Sequence, residues 1–148
     1  TIYETEDAIE ICDPRNGRSL LSKRSIVKGE LICPLPCYAI RSFPDRYTVQ
    51  VSMYAHIDIG RPWASANHSC HPNIHFNTSK RQIIALRDIG VGEEFNFFYP
   101  STEWDMAEPF QCLCHSAGCL HQISGAKYLP VALLRQYTIN SHIAVLLK

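Results

Sequence analysis

The sequence carries no surplus of charge: 14 Lys+Arg stand against 14 Asp+Glu, and the net charge is zero. A protein that holds nucleic acid through bulk charge is basic, so no direct nucleic-acid binding of that kind is expected. No apolar run approaches the ~18 residues of a membrane-spanning helix, so no membrane partner is expected. Low-complexity stretches and linker-like segments are missing too. With 46% apolar residues, the composition is not that of a disordered tail. A chain of 148 residues suits one domain with its own core. The opening TIYETEDAIE is polar and acidic and lacks the apolar centre of a secretory leader. An intracellular location, nuclear or cytoplasmic, is therefore expected. Nothing in the sequence specifies an oligomeric state.

An even thiol count is also lacking. The seven cysteines are Cys12, Cys33, Cys37, Cys70, Cys112, Cys114 and Cys119. A disulfide framework in a short secreted chain favours an even number. Three of the seven form Cys112-x-Cys114-x4-Cys119. Thiolates suit a tetrahedral zinc ion, and three so closely spaced can wrap one. The fourth ligand must come from elsewhere: Cys70 is a candidate, and Cys12, Cys33, Cys37 and His121 compete with it. Four thiolates leave no open position, so such a site is structural rather than catalytic.

Turn signals recur at Asp13-Pro14, Asn16-Gly17, Lys28-Gly29, Phe43-Pro44, Gly60-Arg61-Pro62 and Val91-Gly92. They separate short β-type stretches: Ser19–Ser22, Leu31–Cys33, Tyr47–Met53, Ile74–Asn77, Ile83–Leu86 and Glu94–Tyr99. Tyr47–Met53 alternates as a half-buried strand should. A β-rich domain follows. The pattern R-[SD]-I-x-x-G-E occurs twice, at Arg24–Glu30 and Arg87–Glu93, and reads as two similar hairpins with Gly at positive φ. The convincing helix is C-terminal. Pro130 is expected as its first residue, with Val131–Tyr137 following. A second piece, His142–Leu147, is expected to be capped by Ser141.

Asn67-His68-Ser69-Cys70-His71-Pro72-Asn73 is, by composition, a polar turn. A Cys-His pair can be a nucleophile and its base. Adjacent side chains rarely face each other, which weighs against that here.

This segment resembles the N-H-S-C-x-P-N signature of SET-domain protein lysine methyltransferases. Gly92-Glu93-Glu94-Phe95-Asn96-Phe97-Phe98-Tyr99 resembles the family's G-E-E-L-T-F-D-Y. Phe110-x-Cys112-x-Cys114-x4-Cys119-x3-Ile123 resembles its post-SET segment. Gly17-Arg18-Ser19-Leu20-Leu21, followed by Ile26-x-x-Gly29-Glu30, resembles its opening G-x-G and D-I-x-x-G-E motifs. The four motifs run in family order from Gly17 to Ile123.

The resemblance implies a mainly β SET fold: several small sheets, a pseudoknot-like crossing, a zinc-bound post-SET segment and a C-terminal helix. It implies a SET domain over 1–100 with core motifs in 17–99, a post-SET segment over 101–124 and a helical extension over 125–148. The implied activity is protein lysine N-methylation with S-adenosylmethionine as methyl donor and Zn2+ as structural ion. Cofactor and substrate lysine would enter from opposite faces. Gly17, Arg18, Ser19 and Leu20 would line the cofactor pocket, with Asn67, His68 and Tyr99. Tyr99 would be the catalytic tyrosine, and Phe97 beside it would leave room for a second or third methyl. Cys70 would complete the zinc site with Cys112, Cys114 and Cys119. A protein or peptide bearing lysine, such as a histone tail, would be the partner.

The chain departs from the family pattern in places. Ser19 replaces the second glycine, Phe98 the acidic residue before the tyrosine, and His121 a post-SET glycine. The Y-x-G-E stretch is replaced by Leu35-Pro36-Cys37-Tyr38, so Tyr38 is expected to stand in for the aromatic of the lysine channel. These changes fall mainly on the substrate side. They keep two other readings open: a SET-fold enzyme for a non-histone or small-molecule substrate, and a binding module without turnover. The acidic residues Glu103, Asp105 and Glu108 fall where the family's peptide groove runs. They would attract a basic peptide, although a solvated loop explains them equally well.

Overall fold

A computed structural model describes residues 2–14 and 17–147. The Asn16 half of the expected Asn16-Gly17 turn lies outside the described residues. Twelve short strands among these residues form five small sheets. β1 (Ala8–Asp13) and β2 (Gly17–Ser22) make an antiparallel hairpin. β3 (Leu31–Pro34) joins β8 (Ile74–Asn77) and β9 (Gln82–Ala85) in the order β3-β9-β8. β4 (Ala39–Arg41), β5 (Thr48–Ser52) and β6 (Ala55–Asp58) form a sheet in the order β4-β6-β5. β11 (Phe110–Gln111) and β12 (Gln122–Ile123) form a further antiparallel pair. The remaining pair is parallel: β7 (Asn67–His68) against β10 (Asn96–Phe97). It sets the N-H-S-C segment beside the segment ending in Tyr99, and so forms the crossing.

The two R-[SD]-I-x-x-G-E copies do not stand as separate hairpins. They pair with each other. Ile26 and Ile89 exchange both backbone hydrogen bonds, at 2.9 and 2.8 Å, and each is only 2% exposed. In each copy the glycine takes a left-handed φ, +87° at Gly29 and +83° at Gly92, in the third position of a four-residue turn. A side chain with a Cβ is disfavoured there. Glu93–Phe95 then runs along β2, with Ser22 N–H donating to Glu93 O and Phe95 N–H to Leu20 O.

The main core gathers Leu20, Ile26, Ile57, Trp63, Ile74, Phe76, Ile83, Ile89 and Phe95. Burying each such side chain contributes ~1.5–3 kcal/mol. A second cluster joins Phe98 and Ala126 to Leu134 and Ile143.

The C-terminal helices are shorter than expected: α1 is Val131–Leu134 and α2 is Ser141–Ala144. Pro130 is extended and precedes α1 rather than opening it. The residue before α2 is Asn140, not Ser141, and its side chain does not cap the helix. It is spent elsewhere. Asn140 Nδ2 donates to Phe76 O at 2.9 Å and Ser101 O at 2.8 Å, and Oδ1 accepts Thr78 N–H at 2.9 Å. Among the described residues no helix is long and apolar enough to cross a membrane.

Candidate active site and cysteine cluster

Beside the parallel pair opens a cavity of about 1300 Å³. Gly17, Arg18, Asn67, Phe97 and Tyr99 border it, as do Trp63, Glu103, Trp104 and Phe110. Ser19, Leu20 and His68 do not. Ser19 is 2% exposed and donates its hydroxyl to Asp13 Oδ2 at 2.7 Å. Leu20 is fully buried in the core. Asn67 has its amide committed: Nδ2 donates to Arg18 O at 2.8 Å and to Glu94 Oε2 at 3.0 Å. Its work is therefore to hold the backbone of β2 against β7.

Tyr99 opens a tight 3-10 turn, Tyr99–Ser101, that follows β10, with Pro100 in its first positions. Its ring lies 4.6 Å from that of Phe97 and 5.7 Å from that of Phe110. The hydroxyl donates to Ala66 O at 3.2 Å. Burial, and then the nearby Glu103 carboxyl, push the phenol up to about 12. It is therefore a neutral hydroxyl at neutral pH. Phe97 is 7% exposed, held between Phe76 and Tyr99.

Tyr38 is not brought to this cavity. It is 72% exposed, and its ring lies over Gly60 in a separate, smaller cleft with Arg61 and Trp63. Its N–H donates to Asp58 O, which fixes it at the entry to edge strand β4 with its side chain turned outward. Trp63 and Trp104 supply cavity aromatics that the motifs did not single out, beside Phe110 of the post-SET-like segment. Glu103 and Trp104 come from the acidic stretch after Tyr99. Trp63 carries no local sequence signal.

His68 stands behind Tyr99. Burial holds its imidazole down to about 4, so it is neutral. Nδ1 accepts Tyr99 N–H at 3.1 Å, which leaves the proton on Nε2, 3.3 Å from Cys70 Sγ.

The ligand atoms of Cys70, Cys112, Cys114 and Cys119 all lie within 4.8 Å of one another. Cys70 and Cys112 are 3.9 Å apart, sulfur to sulfur. A tetrahedron with ~2.3 Å zinc–sulfur bonds has edges of ~3.8 Å, so four soft donors at this spacing fit zinc. Leu120 N–H donates to Cys70 Sγ at 3.3 Å and Cys114 N–H to Cys112 Sγ at 3.4 Å, as thiolate ligands require. Burial raises the Cys114 thiol, but hydrogen bonds, those of Ser116 foremost, bring it down to about 6. Cys12, Cys33 and Cys37 lie outside the cluster. His121, at the position of the family's glycine, has a left-handed φ of +67°, the conformation a glycine would supply there.

A family model described as "SET domain" matches residues 17–100. The chain is 39% identical over 102 residues to "Methyltransferase flvH" of Aspergillus flavus, covering 68% of this chain and 57% of that protein. It is 48% identical over 60 residues to an Aspergillus fumigatus "Histone-lysine N-methyltransferase, H3 lysine-4 specific", covering 36% of this chain and 5% of that one. The chain thus spans little more than half of one relative and a small part of the other. Among solved structures, KRYPTONITE in complex with mCHG DNA and SAH matches with a TM-score of 0.59 at 19% identity. That match covers 75% of this chain and 27% of the other. The shared architecture is the fold of small sheets described above.

Proposed function

We propose, because this chain belongs to the SET-domain family, that it is a lysine N-methyltransferase using S-adenosylmethionine, with zinc as a structural ion. One observation carries the reading. The β7/β10 pair, with Asn67 opposite Asn96 and His68 opposite Phe97, brings Asn67, Phe97 and the following Tyr99 to one cavity that Gly17 and Arg18 also border.

When bound, S-adenosylmethionine supplies a methyl group already activated by its sulfonium. The chain has to hold a neutral amine in line with it, which is chiefly orientation. Gly17 and Arg18 present backbone to the cofactor's side of the cavity, and Asn67 keeps that backbone in place. Phe97, Tyr99, Trp104 and Phe110 supply an apolar wall that favours a neutral amine over an ammonium. The Tyr99 hydroxyl, protonated and tied to Ala66 O, steers by its dipole rather than by taking a proton. Cys70, Cys112, Cys114 and Cys119 would hold zinc and fasten β11–β12 against the N-H-S-C segment. A histone tail is the first candidate substrate, with the exposed Glu108 at the cavity edge available to a basic peptide. A nuclear or cytoplasmic location goes with such a substrate.

A second reading, a small-molecule amine as substrate, is favoured by Tyr38. With that ring turned away, the cavity lacks the aromatic expected to narrow it around a lysine side chain.

The test is calorimetry with S-adenosylmethionine, followed by transfer of labelled methyl to a histone mixture. Micromolar binding with label on lysine is expected. Binding without labelled histone would favour the small-molecule reading. No binding at millimolar cofactor would leave a module without turnover.

A further inference from the structure

Glu103 lies outside every family motif, yet its carboxyl borders the same cavity as Phe97 and Tyr99. The turn after Tyr99 puts it there, with Glu103 N–H donating to Tyr99 O at 2.9 Å. Oε2 accepts the backbone N–H of Gln50 at 2.9 Å. No ion pair among the described residues includes Glu103. Lys127, which also borders the cavity, stands 3.6 Å from Asp105 instead, and Arg18 and Arg46 lie by Tyr47. Burial raises the proton affinity of Glu103 despite the hydrogen bond from Gln50.

A half-buried carboxylate without a cation gains from one. The cavity that Glu103 borders is also lined by Tyr99, Trp104 and Phe110, so a cation has a place to arrive beside the carboxyl. We propose that Glu103 is the anionic anchor for the substrate's ammonium group, and so sets the substrate class as a cationic amine. This rests on the cavity being the methyl-transfer site.

The anchor also solves a chemical problem, because an ammonium has no lone pair to attack with. One N–H bond of the ammonium breaks and one O–H bond forms on Glu103. A neutral amine then faces a neutral acid where the ammonium–carboxylate pair stood, and its lone pair is free to attack.

The experiment uses sinefungin, a cofactor analogue carrying an amine in place of the transferable methyl. Dissociation constants of sinefungin, S-adenosylhomocysteine and S-adenosylmethionine are measured by calorimetry on the full chain and on Glu103→Gln. The glutamine keeps an acceptor for Gln50 N–H, and unchanged binding of S-adenosylhomocysteine shows that the variant is folded. The full chain should prefer sinefungin over S-adenosylhomocysteine about tenfold, the scale of a hydrogen bond to a charged group. Glu103→Gln should reduce that preference to about twofold or less, whereas Glu103→Asp should retain part of it. The same preference in Glu103→Gln overturns the proposal. So does an equal loss for S-adenosylmethionine, which would turn the carboxylate toward the sulfonium. If the unaltered chain binds none of the three, the functional reading itself fails and takes this one with it.

Discussion

Tyr99 hangs its backbone N–H on Nδ1 of His68, at 3.1 Å. Because Nδ1 accepts, Nε2 donates, and what stands 3.3 Å from it is Cys70 Sγ. The His68 ring is wedged among Phe98, Tyr99 and Phe110, with centroids 5.3 to 5.8 Å away. One imidazole thus joins the proposed catalytic tyrosine to a proposed zinc ligand. The cysteine cluster lies next to the cavity and shares its supports.

Cys114→Ser should lose the metal. It removes one of four thiolates, and a zinc content near one per chain is expected to fall well below half on metal analysis. Loosening of β11–β12 should show as faster amide exchange around Phe110–Ile123. Full zinc in the variant would contradict the four-thiolate site.

Tyr99→Phe should lower turnover by roughly 10–100-fold, the usual scale for one oriented polar group at a reaction centre. Cofactor affinity should stay within about threefold, because the ring and its packing remain. Calorimetry alongside steady-state rates separates the two. Unchanged turnover would remove Tyr99 from the chemistry.

Phe97 sets the expected product. Its ring faces the cavity without a hydroxyl, which leaves room around a methylated amine. Exhaustive turnover should reach di- or trimethylated product by mass spectrometry. Phe97→Tyr should shift the product toward monomethyl, since the added hydroxyl takes up that room and can hydrogen-bond the amine. Monomethyl product alone from the unaltered chain would count against this.

Acid should destabilise the fold through His75. Burial holds its imidazole down to about 4, against 6.5 for an exposed one. Between these values the unfolded chain binds a proton that the folded chain refuses. The stability is therefore complete above about pH 6.5 and is lost as the pH falls toward about 4, by up to ~3 kcal/mol from this residue. His56 and His142, also lowered mainly by burial, act in the same direction. The drop in melting temperature from pH 7 to pH 5 should be smaller in His75→Leu than in the unaltered chain. Equal drops would show that His75 contributes nothing.

Much of the architecture is legible in local sequence. Turn glycines at 29 and 92, and the apolar stretches at 74–77 and 83–86, mark elements that the structure contains. Less legible is whatever depends on a distant partner. The alternation through Tyr47–Met53 implies that Gln50 faces solvent, yet it is 7% exposed. Its N–H meets Glu103, its Oε1 accepts Trp104 N–H at 2.8 Å, and its Nε2 donates to Ser52 O at 3.0 Å. A polar residue so fully bonded can be buried, but no window around position 50 contains its partners. The same reason hides β1 and β6, which are short and mixed in polarity. Phe98 is the reverse case. It departs from the family pattern, and its ring stacks at 3.8 Å on Tyr137, which no motif includes. Of the residues that the motifs single out, Gly17, Arg18, Asn67, Phe97 and Tyr99 border one cavity. Tyr38 was misplaced because nearness in the sequence to a family position does not fix the strand edge on which a side chain lies.

Tyr137 and Asn140 have a consequence for how the molecule is made. Tyr137 hydroxyl donates to Cys70 O at 2.8 Å, and Asn140 satisfies Phe76 O, Ser101 O and Thr78 N–H. These backbone groups lie 39 to 67 residues earlier in the chain. On a ribosome, where folding begins with the N-terminal part, they emerge long before the side chains that complete them. The crossing at Tyr99 therefore cannot reach its final form on the nascent chain until residue 140 is free. Until then, Phe98 and the carbonyls around it remain exposed to water and to whatever chaperone is waiting there.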